Sequence, residues 1–110
     1  MTSTVKVMMN TCQRYALITG ELDEDGCTVH VKIESDCENV MQYARLLGDT
    51  VTMDDCMDAA SSKVFDPAVR APLTLNCLVP SAVMDVCMME LGMLLKSCAR
   101  KAERDTVEYL

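Results

Sequence analysis

Seven cysteines are distributed along 110 residues, at Cys12, Cys27, Cys37, Cys56, Cys77, Cys87 and Cys98, and no two of them form a C-x-x-C pair. The nearest neighbours in sequence are ten residues apart. Thiolates serve as soft-metal ligands and as nucleophiles, so this usage points to metal or thiol chemistry. The spacing excludes a local zinc knuckle and a thioredoxin-type dithiol. Any site these thiols share must therefore be assembled by the fold from distant segments.

Other chemistry is poorly represented. There is no Gly-rich phosphate loop and no H-E-x-x-H helix, and the single histidine, His30, falls on the polar side of an alternating segment. The carboxylates Glu34, Asp36, Glu38, Asp54 and Asp55 suit helix starts better than acid–base pairing. No constellation names a reaction, so the residues leave open whether the chain is an enzyme and lean against it. The net charge of −7 and pI near 4.5 argue against binding nucleic acid or an anionic membrane surface. An odd number of cysteines without a visible export signal suggests reduced thiols in a cytoplasmic setting. Ten methionines replace aromatic bulk and read mainly as core filler.

One domain over residues 1–110 is expected at this length. The segments Val5–Met9, Arg14–Leu22 and Cys27–Ile33 read as strands, with an Asp-Gly turn at Asp23–Gly26. In the third segment Cys27, Val29, Val31 and Ile33 share one face, and Thr28, His30 and Lys32 share the other. Ser35 and Glu38 match a capping box for a helix running to about Leu47 and stopped by Gly48. Thr52 and Asp66-Pro67 signal two short helical starts, the first ending near Ala60. Ala71–Val79 reads as extended. Ser81–Arg104, apolar nearly all round, reads as one long helix packed on the sheet, and Thr106–Leu110 as a short last edge strand. The fold class is thus α+β: a three-stranded antiparallel meander followed by helices.

On this plan Cys27, Cys56, Cys87 and Cys98 fall on buried faces or inside helices, where a free cysteine behaves as a small core residue. Cys12, Cys37 and Cys77 differ, because each lies at the end of an element. Cys12 sits in the first turn, and Cys37 at the second position of the first helix, where free backbone N–H groups favour a thiolate. Cys77 precedes the long helix. Strand one ends, and strand three exits, at the same end of the sheet, so Cys12 and Cys37 are placed to meet there and Cys77 to complete a triad. Three thiolates with an open fourth position suit zinc, or an iron–sulfur cluster with one non-protein ligand.

The segments Ile33-Glu-Ser-Asp-Cys37 and Cys77-Leu-Val-Pro-Ser-Ala82, with Cys12 ahead of them and Phe65 between, resemble a family of small uncharacterised proteins of methanogenic archaea and other anaerobes. The resemblance implies a reduced, anaerobic setting and groups Cys12, Cys37 and Cys77 as a set. The residues before the second segment, Arg70–Asn76, lack the extra Cys or His that such proteins often carry there. Three readings follow. The first is a small cytoplasmic protein that binds zinc or an iron–sulfur cluster through Cys12, Cys37 and Cys77. The second is a metal-free thiol carrier of sulfur or selenium, or a redox protein. The third is a homo-oligomeric interaction module joined through the Met-rich helix, with incidental thiols.

Overall fold

In the computed structural model, which describes residues 2–110, strands β1 (Thr2–Met9), β2 (Arg14–Leu22) and β3 (Thr28–Ser35) form the expected antiparallel meander. Strict alternation sets the register: Val5 faces Ile18, and Ile18 faces Ile33. Val7, Met9, Ala16, Ile18, Val29, Val31 and Ile33 thereby share one buried face. A fourth strand, β4 (Thr50–Thr52), pairs with β3 and closes the order β1-β2-β3-β4. The sequence reading took Thr52 only as a helix start. Three residues are too few for alternation to register, although Thr50, Val51 and Thr52 are all β-branched.

The helices are α1 (Glu38–Leu47), α2 (Met53–Met57), α3 (Pro67–Arg70), α4 (Val79–Glu90) and α5 (Lys96–Ala102). Helix α4 packs across β1 and β2, and α1 against β3. Gly20 permits the close approach of α4: a Cβ there would stand 2.3 Å from Val86 Cγ1 and 3.1 Å from Val29 Cγ1. Tyr43 of α1 is fully buried, and its hydroxyl donates to the Val64 carbonyl at 2.9 Å.

Two helix starts follow the expected chemistry. Thr52 and Asp55 form a reciprocal capping box at α2, and Asp66 Oδ1 accepts the Ala68 N–H ahead of Pro67 at the first position of α3. The Ser35–Glu38 box does not form. Ser35 is the last residue of β3, its hydroxyl donates to the Tyr15 carbonyl and accepts from Cys37 N–H at 3.0 Å, and Cys37 becomes the N-cap of α1 in place of its second residue. The competing strand pairing claims Ser35.

The expected helix Ser81–Arg104 is two helices. Gly92, at φ +78°, follows α4 in the left-handed region, with Met93 N–H donating to Met88 O at 2.8 Å and Gly92 N–H to Met89 O at 3.3 Å. This pair of bonds is a Schellman motif. The unbroken apolar run hid the stop that its glycine imposes. Cys27 also departs from expectation: it lies exposed in the β2–β3 turn, where its N–H donates to Asp25. Cys98, on α5, is exposed as well. Thr106–Leu110 is irregular and exposed, so the added edge strand is β4.

Candidate thiol site

The end of the sheet where β1 closes into its first turn gathers the three cysteines singled out from sequence. Cys12 lies in the β1–β2 turn, beside Gln13 at φ +56°, and its thiol points back to the Met9 carbonyl at 3.6 Å. Cys37 caps α1 immediately beyond β3. The two corners are tied together: Tyr15 N–H donates to Asp36 Oδ1 at 3.1 Å, and Arg14 donates to the Asp36 carbonyl at 3.2 Å.

Cys77 arrives from the other side of the core. Its N–H closes a turn on Thr74 at 3.1 Å, just before α4. Its thiol packs on Met9, with Cys77 Sγ 3.8 Å from Met9 Sδ. Met9 is on the buried face of β1, and its backbone and thioether thus carry contacts to Cys12 and Cys77 respectively.

Burial pushes the Cys77 thiol above its ordinary value. The Val79 N–H opposes this by hydrogen-bonding the sulfur, the negative charges available to Cys37 and Cys12 add to the rise, and the Arg70 guanidinium offsets part of it. Cys37 and Cys12 therefore each lie within electrostatic reach of Cys77. Among the described residues, however, no group of three His, Cys, Asp or Glu side chains is placed to hold a metal ion. The thiols share one end of the fold without standing at ligand spacing. Arg70 bridges to the carbonyls of Thr74 and Leu75 at 3.3 and 3.0 Å, and its buried Nε has no hydrogen-bond partner.

His30 stands apart on the solvent face, where Asp23 at 2.8 Å raises its pKa. A second thiol pair was missed by sequence reasoning. The half-buried Cys56 thiol of α2 is pushed down chiefly by Cys87, and the fully buried Cys87 thiol of α4 is pushed up chiefly by Cys56 and by burial. Each looked like isolated core filler, and a sequence separation of about thirty residues gives no local signal of their meeting.

Among the described residues no helix is long and apolar enough to cross a membrane. Comparison with curated proteins and with solved structures finds no significant match in either set. A family model does match, over residues 3–102, which takes in the sheet from its second residue, all seven cysteines and every helix. The chain belongs to the family of unknown function DUF6951.

Proposed function

We propose that this protein uses Cys12, Cys37 and Cys77 as thiolate ligands to a soft metal centre, either zinc or an iron–sulfur cluster. One observation carries the reading: of three cysteines far apart in sequence, Cys12 and Cys77 both touch Met9, and Cys37, at the cap of α1, acts together with Cys12 on the Cys77 thiol. Three thiolates at about 2.3 Å from a metal have sulfurs roughly 3.5–4 Å apart, so a shared metal requires the three side chains to come closer together than they stand here. Metal binding must also deprotonate Cys77, whose thiol burial keeps neutral, and the metal charge supplies the compensation. A reduced cytoplasmic interior of an anaerobe, the setting that the sequence resemblance implies, keeps such thiols available.

The test is metal and acid-labile sulfide analysis, with absorption spectra, on anaerobically prepared protein and on the Cys12→Ser/Cys37→Ser/Cys77→Ser variant. Stoichiometric metal in the wild type, lost in the variant, is the expected result. Equal metal content in the two proteins overturns the reading. So does a wild type that stays metal-free after reconstitution with zinc and with iron and sulfide.

A further inference from the structure

Met9 touches two cysteines, and one of those contacts already has the spacing of a ligand pair. Met9 lies on the buried face of β1, and its Sδ stands 3.8 Å from Cys77 Sγ. Sulfurs that share one metal at about 2.3 Å are roughly 3.5–4 Å apart. Strand alternation commits Met9 to this corner and turns its neighbour Met8, 58% exposed, to the opposite face. Cys12 follows three residues later in the β1–β2 turn. It is exposed, with its thiol 3.6 Å from the Met9 carbonyl. Only Cys12 then has to turn toward the sulfur pair to give a three-sulfur set.

We propose that Met9 Sδ, Cys77 Sγ and Cys12 Sγ form a binding site for monovalent copper, Cu(I). The proposal rests on the soft-metal reading above for Cys12 and Cys77, and adds to it a donor and an ion. Zinc takes thiolate, imidazole or carboxylate, and iron–sulfur clusters are held by thiolates, so neither uses the thioether packed on the Cys77 thiol. Thiolate and thioether together suit Cu(I). The thioether also adds a soft donor without adding charge. Two thiolates leave the Cu(I) site with one negative charge, where three would leave two, and charge is costly in a half-buried corner. Arg70 offsets that charge: its guanidinium acts on Cys77, and its buried Nε has no hydrogen-bond partner among the described residues. No electron moves on binding. The ion takes the place of the two thiol protons, which pass to solvent.

The experiment titrates anaerobic protein with Cu(I) in competition with bicinchoninate. Cys27→Ser and Cys98→Ser are present throughout, so that these exposed thiols do not capture the ion. Loss of a ligand should cost at least what loss of an outer-shell partner costs, so Met9→Leu is expected to weaken the first equivalent about tenfold or more, and Met8→Leu to leave it unchanged. Copper-edge X-ray absorption of selenomethionine-labelled protein is expected to show selenium bound to copper, and to lose it in Met9→Leu. Equal affinity in Met9→Leu, or a copper shell without selenium, overturns the proposal. Leucine conserves the core volume. If Met9→Leu nevertheless fails to fold, the selenium signal in labelled Met8→Leu decides. Met9→Leu keeps Cys12, Cys37 and Cys77, so zinc and cluster loading measured beside copper separates the two readings. Loading intact with copper binding indifferent to Met9 sinks the Cu(I) site alone. Met9-dependent copper binding in a protein that takes neither zinc nor a cluster sinks the three-thiolate centre alone.

Discussion

Cysteine chemistry here is decided residue by residue, by what each sulfur faces. Cys12, Cys27 and Cys98 are exposed, and Cys87 is shut in the core. Brief alkylation of the native protein, followed by peptide mass spectrometry, is expected to label the first three well before Cys87, which becomes reactive only as the fold opens. Cys77 behaves differently. Burial first, then the charges of Cys37 and Cys12, hold its thiol above the ordinary value of 9.0. Its alkylation rate should therefore still be climbing beyond that pH, because the thiolate is the reacting form. Replacing Cys12 and Cys37 by Ser removes two of the groups that raise it, so the midpoint should move down. An unmoved midpoint would place the three thiols out of each other's reach. Tyr43 shows the same logic in the core. Tyr43→Phe leaves the buried Val64 carbonyl without its donor and is expected to cost about 1–3 kcal/mol in denaturant unfolding.

At the scale of elements, two glycines do different work. Gly92 turns the chain out of α4 at positive φ, and an Ala there must adopt a conformation that L-residues avoid. Gly92→Ala should destabilise the protein by about 1 kcal/mol. Gly20 is instead a packing position. Its missing Cβ leaves the space that Val86 Cγ1 occupies, so Gly20→Ala pushes α4 off β2 and should cost about 1–3 kcal/mol. Equal, small losses from the two substitutions would refute the distinction. These elements also show where sequence stops being readable. β2 was legible to the residue from its apolar, β-branched content, and β3 to within two residues from its alternation, whereas β1 was read only from Val5 and its first three residues were missed. The caps at Thr52 and Asp66 were legible because they use only local hydrogen bonds. Ser35 misled because its cap signal was overridden by pairing to β2, a partner distant in sequence. That the β1–β2 turn and the start of α1 share one end of the sheet could be read from strand direction alone. The influence of Cys56 and Cys87 on one another depends on how α2 lies on α4, which no local pattern encodes.

For the molecule as a whole, one carboxylate joins what the sequence separates. Glu90, at the end of α4, has a side chain only 1% exposed. It accepts from Ser3 on β1, from the Leu22 N–H at the end of β2 at 3.1 Å, and from Lys96 at the start of α5 at 2.7 Å. The edge strand, its neighbour and both halves of the C-terminal helical region thus meet on a single buried ion. Burial alone would raise the Glu90 pKa, but Lys96, Ser3 and the Leu22 N–H together bring it below its ordinary value of 4.5. A lowered folded-state pKa means that the stabilisation is fully present above the unfolded value and is lost as the pH falls through the folded value. Stability should therefore be level towards neutral pH on this account and decline below about 4.5. Glu90→Gln keeps the shape, and its amide oxygen can still accept from the Leu22 N–H, but its NH2 then takes the place of the oxygen that faces Ser3 and Lys96, and the Lys96 charge is left without its partner. The expected loss is about 2 kcal/mol at neutral pH. Because the wild type loses the same ionic interaction in acid, the gap between the two proteins should narrow as the pH is lowered. Denaturant unfolding of both proteins across the acid range measures this directly. A gap that stays constant with pH would mean that the carboxylate's charge contributes nothing and that the clamp acts through packing alone.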